Sequence, residues 1–272
     1  MRIKSLAAAF AIPFAHAAAA AASPPPLMAP TGPWNVEFAD KTCLLSRPYG
    51  KNRTTQLILK PAMLGESLEI IVTRAKTPIV DSEHGRAVLS IGGTPSSAES
   101  YFRAYSTVKS RLLRVWIKED AIALSAVRGT LQIDARPEGR YAFAVPGIDQ
   151  ARPVLSKCLD QLRAAYKISS TELAAIATKP DATPAAVFST NDYPLQAVKE
   201  GKVGTVGVLI WVEADGRVST CEVIESSAAP ILEKTTCNVL TKRAKFTPAK
   251  DAEGRAIRAP SFSRVRWELP SY

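Results

Sequence analysis

The chain has 272 residues, is 46% apolar and 22% charged, and carries four cysteines and a formal charge of +10. That length accommodates two cores, and the balance is that of an ordinary globular protein rather than a disordered or fibrous one. The basic residues are spread thinly from Lys41 to Arg266 without an aromatic-interleaved cluster, so no nucleic-acid partner is expected. The charge reads as a solvated surface, with weak contact to anionic surfaces such as lipid headgroups as its one further use.

Residues 1–22 have the layout of a secretory signal peptide: a basic start at Arg2 and Lys4, an apolar middle, and small residues suited to cleavage after Ala17 or Ala22. The competing reading is a retained membrane anchor, which the short, Ala-rich, Pro13-broken segment disfavours. Nothing later approaches the ~20 apolar residues needed to cross a bilayer, so the mature chain is expected to be soluble.

Residues 23–33 hold enough proline to read as an extended arm without regular structure. From Trp34 onward the runs WNVEF, QLILK, SLEIIVT, RAVLSI, LLRVWIK, AIALSAV, TLQIDA and YAFAV are short, mostly alternating and separated by turn residues. They predict a mainly β domain over 34–166, an antiparallel sheet or sandwich. A helix closes it, capped by Asp149, with Pro153 in its first turn and Leu155, Cys158, Leu159, Leu162 and Ala165 as its apolar stripe. Within this region Asp81, Ser82, Glu83 and His84 look reactive but read as a polar, solvated turn. Gly92-Gly93 lacks the Lys and the following helix of a phosphate loop. Residues 167–190, rich in Ala, Thr, Ser and Pro, predict an inter-domain linker, partly helical around Glu172 to Ala177.

The last segment, 191–272, specifies an α+β domain of helix, β-hairpin, helix and strand. Pro194 opens a short helix that Gly201 closes. Val206, Val208, Ile210 and Val212 alternate with Gly207, Leu209 and Trp211, so one face lies on a core and the other carries a large aromatic. Asp215-Gly216 supplies the hairpin turn, and Val218, out of phase with Cys221 and Val223, implies a bulge. Pro230 starts a second helix with Leu232, Thr236, Val239, Leu240 and Arg243 at helical spacing; Phe246 and Pro248 end it, and Val265, Trp267 and Leu269 alternate along a last strand.

Four cysteines in an exported chain imply two disulfides, for which three connectivities exist. Cys221 lies mid-strand and Cys237 on the helix that packs over that strand, so the pairing Cys43 to Cys158 and Cys221 to Cys237 keeps each bridge inside one domain. No nucleophile, acid-base pair, cofactor site or metal site is expected: His84 is the single histidine after residue 22, and there is no CxxC pair. The chain does not read as an enzyme.

Five motifs in order, the YP helix start, the GTVGVLIWVEADGRV hairpin, the VIESS strand end, the KFTPAKDAEG turn and the VRWEL strand, make residues 191–270 resemble the C-terminal domain of the TonB energy-transducer family. The resemblance implies a periplasmic binding module, linked to transport across the outer membrane, that pairs with an extended segment of an outer-membrane receptor by strand addition. It points to Phe262, Ser263, Arg264, Val265, Arg266 and Trp267 as the receiving strand, with Arg264 and Arg266 turned away from the core. The chain departs from the family in having a signal peptide, a β-rich domain and a short linker where transducers have a membrane helix and a long Pro-rich spacer. His16 sits in the N-terminal apolar segment as in the family's anchor, but Ile12 replaces the serine four residues before it. A second reading is therefore an envelope adaptor that uses the fold to hold periplasmic protein partners without transducing energy.

Overall fold

Two upstream sheets arise from strands whose alternate residues are apolar. The structure, a computed structural model, describes residues 23–39, 41–65, 67–75, 82–96, 100–107, 110–118, 127–181 and 187–269. The expected signal peptide at 1–22, most of the AIALSAV run, Asp81 and the last three residues lie outside the described residues.

In chain order the upstream strands begin with β1 (Leu27–Met28), β2 (Asn35–Ala39), β3 (Thr42–Tyr49), β4 (Thr55–Pro61), β5 (Ser67–Ala75) and β6 (Glu83–Arg86). They continue with β7 (Val88–Ile91), β8 (Thr94–Pro95), β9 (Ser100–Ser106), β10 (Ser110–Lys118), β11 (Thr130–Ala135) and β12 (Gly139–Ala144). One sheet has the order β1-β12-β11-β7-β8 and the other β2-β3-β4-β5-β10-β9-β6. Both contribute to one core, in which Leu45, Leu57, Ile70, Phe102 and Val115 of the larger sheet join Leu89, Leu131 and Phe143 of the smaller. Tyr49 ties the sheets together: its ring meets Phe143 edge-on at 4.9 Å and its hydroxyl donates to the Ala144 carbonyl at 2.8 Å.

Several expectations need correction. β3 and β9 were not expected: Ser46, Arg47 and Pro48 spoil the alternation of β3, and β9 carries aromatic residues on both faces. The RAVLSI run is broken at Ala87, with Arg86 ending a strand of the larger sheet and Val88 starting one of the smaller. Glu83 and His84 belong to β6, paired with β9, rather than to a solvated turn. The proline-rich arm has regular structure at Leu27–Met28, which pair in parallel with Ala142 and Phe143.

Helix α1 (Ile148–Ala165) packs against β2 and β3 and buries Ile148, Ala151, Leu155, Cys158 and Leu162. Asp149 does not cap it. Gly147 occupies the cap in the left-handed conformation, because burial of Ile148 starts the helix two residues earlier than expected, and Asp149 pairs instead with Arg152 inside the first turn. That shift also moves Pro153 to the sixth helical position, beyond the first turn. Cys158 on α1 bridges Cys43 on β3, as the sequence predicts, with the Cα atoms 6.1 Å apart.

The segment after α1 is held at both ends. Ile168 is buried in the upstream core and α2 (Ser170–Ala174) starts with a reciprocal cap, the Ser169 hydroxyl accepting from the Glu172 N–H while the Glu172 carboxylate accepts from the Ser169 N–H. Beyond it Thr178 exchanges backbone hydrogen bonds with Lys250, and the Asp181 N–H donates to the Thr247 carbonyl.

The C-terminal part contains α3 (Leu195–Lys199), β13 (Gly204–Val212), β14 (Val218–Glu225), α4 (Pro230–Arg243), β15 (Ala249–Lys250), β16 (Ala256–Ile257) and β17 (Ala259–Trp267). Its main sheet has the order β14-β13-β17. Val206, Val208, Ile210 and Val212 face a core shared with Leu232, Leu240 and Trp267, whereas Leu209 and Trp211, on the opposite face of β13, belong to the upstream core. The central strand is thus buried on both faces. Among the described residues no helix is long and apolar enough to cross a membrane.

Candidate peptide-binding edge

Three antiparallel strands leave two outer edges, and their local chemistry makes them unequal. The turn between β13 and β14 follows from Asp215-Gly216: Gly216 has φ 84°, and a Cβ there would come within 2.1 Å of the Phe246 carbonyl oxygen, so only glycine fits. After the turn, β14 carries two register shifts against β13, one at Trp211/Val212, the bulge implied by the out-of-phase Val218, and one at Gly207/Val208. The Lys41 ammonium donates to the Val223 carbonyl at 2.7 Å. Bulges and a lysine blunt the β14 edge against further pairing.

β17 has a continuous register with β13 from Ala259 to Trp267, and no strand among the described residues lies on its other side. The strand starts at Ala259, three residues before the expected Phe262, and ends at Trp267, so Leu269 lies outside it. All six expected edge residues are on it. Ser263, Val265 and Trp267 are buried, and Phe262, Arg264 and Arg266 take the alternate face.

The buried side is pinned by Trp267. Its indole N–H donates to the Thr236 hydroxyl at 2.9 Å, and that hydroxyl donates to the Leu232 carbonyl one helical turn back. The rings of Phe188 and Tyr193 meet Trp267 edge-on at 5.6 and 5.2 Å. Behind them Asp192 accepts from Arg243 and from the Ser189 N–H, which holds its carboxyl down at about 2. The Cys221–Cys237 bridge fastens β14 to α4, again the predicted pair, with Cα atoms 5.5 Å apart.

On the other face Gly207 of β13 is flanked by Glu225 on β14 and Arg264 on β17. Because glycine has no side chain, the two neighbours reach over it: Arg264 Nε and Nη2 donate to the two Glu225 oxygens at 2.7 and 2.8 Å. Lys60 of β4 adds a third bond to Glu225 at 3.1 Å, crossing from the upstream sheet. Burial alone would raise the Glu225 pKa, but the hydrogen bonds and charges of Arg264 and Lys60 outweigh it and bring it to about 2.

The two arginines on this strand are therefore not equivalent. Arg264 is engaged by Glu225, while Arg266, two residues on and much more exposed, pairs with Glu268 beside it. Glu225, Lys60 and Gly207 were not singled out in the sequence. A glycine inside an otherwise β-branched strand was the available signal for a close approach at that point.

With this geometry in place, residues 189–269 match the family model described as Gram-negative bacterial TonB protein C-terminal. The C-terminal part of the chain is a TonB C-terminal domain, a transport-associated and non-enzymatic class, preceded by upstream sheets that the match does not cover. A comparison of the chain with curated proteins found no match.

Proposed function

We propose that this is an exported periplasmic protein whose C-terminal domain captures an extended segment of an outer-membrane receptor by adding it as a fourth strand beside β17. Strand addition needs an edge with regular register and a rigid backing, and it draws its affinity from main-chain hydrogen bonds. The observation that carries the reading is the inequality of the two edges: β14 is bulged and met by Lys41, while β17 runs nine residues in continuous register on a core fixed by Trp267. In domain terms the proposal assigns 34–166 to an upstream β domain, 167–190 to a connecting segment and 191–272 to the receptor-binding domain.

The test is a titration of the isotope-labelled mature chain with peptides from the periplasmic N-termini of outer-membrane receptors. Amides of Phe262 to Trp267 should shift first. Shifts confined to β13 and β14, or none at millimolar peptide, would reject the edge.

A second reading, the envelope adaptor, draws on the packing of Leu209 and Trp211 into the upstream core and on the backbone bonds from Thr178 and Asp181 to the C-terminal part. This short, fastened connection suits a device that holds components at fixed distance rather than one that reaches across a compartment. Mass spectrometry of the envelope-localised protein separates the two. A start near Ala18 or Ser23 favours the adaptor; an intact, membrane-bound N-terminus favours a transducer.

A further inference from the structure

The upstream sheet turns a basic row toward the C-terminal domain. On its outer face Arg103 of β9 lies directly opposite Arg114 of β10. Like charges so placed repel, which costs stability unless an anion sits between or above them. Arg114 gives its Nε to Glu69, but no carboxylate among the described residues pairs with Arg103. These two arginines, with Lys60 and Arg264, line an open groove of about 710 Å³ between the outer faces of the two sheets, walled also by Tyr105 and Trp116. Four cations there meet two carboxylates, Glu69 and Glu225, both already ion-paired.

The groove runs into a slot of about 120 Å³ with which it shares Lys60, Trp116, Glu225 and Arg264. The slot is lined by Met63, Leu64, Leu162, Ile224 and Phe262. An apolar cavity of roughly 150 Å³ takes a molecule the size of benzene, so this one has room for a single side chain and not for an acyl chain. At its wall the buried Glu69 keeps one oxygen, Oε2, without a hydrogen bond, although Lys60 Nζ lies 3.5 Å away.

We propose that this groove is a second binding site, for an acidic peptide that carries one aliphatic anchor. Carboxylates of the peptide meet Arg103 and Arg114, and the anchor fills the slot. Phosphate or a polyanionic glycan would satisfy the arginines but not the slot. The site lies on the sheet face and not along the open edge, although Phe262 and Arg264 of β17 line it, and it stands whether or not that edge takes a receptor segment.

Calorimetry on the mature chain at low salt tests it with three blocked probes: Glu-Glu-Leu-Glu-Glu, Gln-Gln-Leu-Gln-Gln and Glu-Glu-Gly-Glu-Glu. The first should bind about ten-fold more tightly than either of the others, one contrast reading charge and the other the buried anchor. Arg103→Gln, an exposed change, should weaken it roughly 3- to 5-fold, an effect that shrinks in high salt. Ala62→Leu, which fills the slot, should remove the preference for leucine over glycine. In spectra of the labelled chain the Trp116 indole and the Arg103 and Arg114 Nε signals should move. Equal binding of the Glu and Gln probes, Arg103→Gln binding like wild type, or shifts confined to the β17 amides would overturn the proposal. So would binding of inorganic phosphate in the groove with no binding of the first probe.

Discussion

Glu225 and Arg264 clasp each other across a strand to which neither belongs. The bond passes over Gly207 on β13, where an added Cβ would come within 2.6 Å of Glu225 Cβ and 2.8 Å of its carboxylate. Gly207→Val should therefore push Glu225 aside and separate both partners. The expected loss is about 1–3 kcal/mol, in the range of overpacked sites. Urea unfolding of the full chain measures it, and an unchanged midpoint would show that the clasp contributes nothing.

Acid should weaken the same region. Glu225 and Asp192 both have folded pKa values of about 2, below their ordinary 4.5 and 3.8. A depressed carboxylate contributes stability that is complete above its unfolded pKa and is lost as pH falls through the folded one. The denaturation midpoint should thus fall between about pH 4.5 and pH 2. Glu225→Gln should be less stable at pH 7 and should show a shallower acid slope, and a slope equal to the wild type's would contradict this assignment.

Thr236→Val keeps the shape of the side chain and removes the hydroxyl that accepts from the Trp267 indole. A buried N–H left without an acceptor costs about 1–3 kcal/mol. If the anchoring also holds the receiving strand in place, amides of β17 should exchange faster in the variant than those of β14. Uniform exchange across the sheet would show that Trp267 is held by packing alone.

The two disulfides close loops of unequal length, with sequence separations of 16 and 115 residues. In the chain-entropy account the short loop contributes about 3 kcal/mol and the long one about 4.7 kcal/mol. Replacing Cys43 and Cys158 together by Ala should accordingly lower the melting temperature more than replacing Cys221 and Cys237. The reverse order would mean that local packing around α4 outweighs loop closure.

Much of the C-terminal domain was legible because its signals are local. The alternation of Val206 to Val212, the Asp215-Gly216 turn and Pro230 at a helix start each act within a few residues, and the out-of-phase Val218 foretold a bulge now visible in the register. Upstream, β9 was missed because Tyr101, Arg103 and Tyr105 are large on the face that looks like solvent, whereas that face borders the groove. Asp149 seemed a cap on chemistry alone, and the burial of Ile148 decided otherwise. The fully buried Arg111, held by Glu138 at 2.6 Å, had no sequence signal, since its partner lies 27 residues away across the fold. The candidate edge was readable as a strand, but its bond to Glu225 and the crossing by Lys60 depend on contacts separated by 39 and 165 residues.

Leu209 and Trp211 have one more consequence. Their side chains are completed by a core built more than 40 residues earlier, with Arg258 laid over the Trp211 ring at 3.6 Å. Cutting the chain before residue 189 would strip that cover and leave an oily stripe along the middle of a three-stranded sheet, ready to glue two copies together. A dimer of such a fragment would be an artefact of the cut, made by a surface that the whole protein keeps covered.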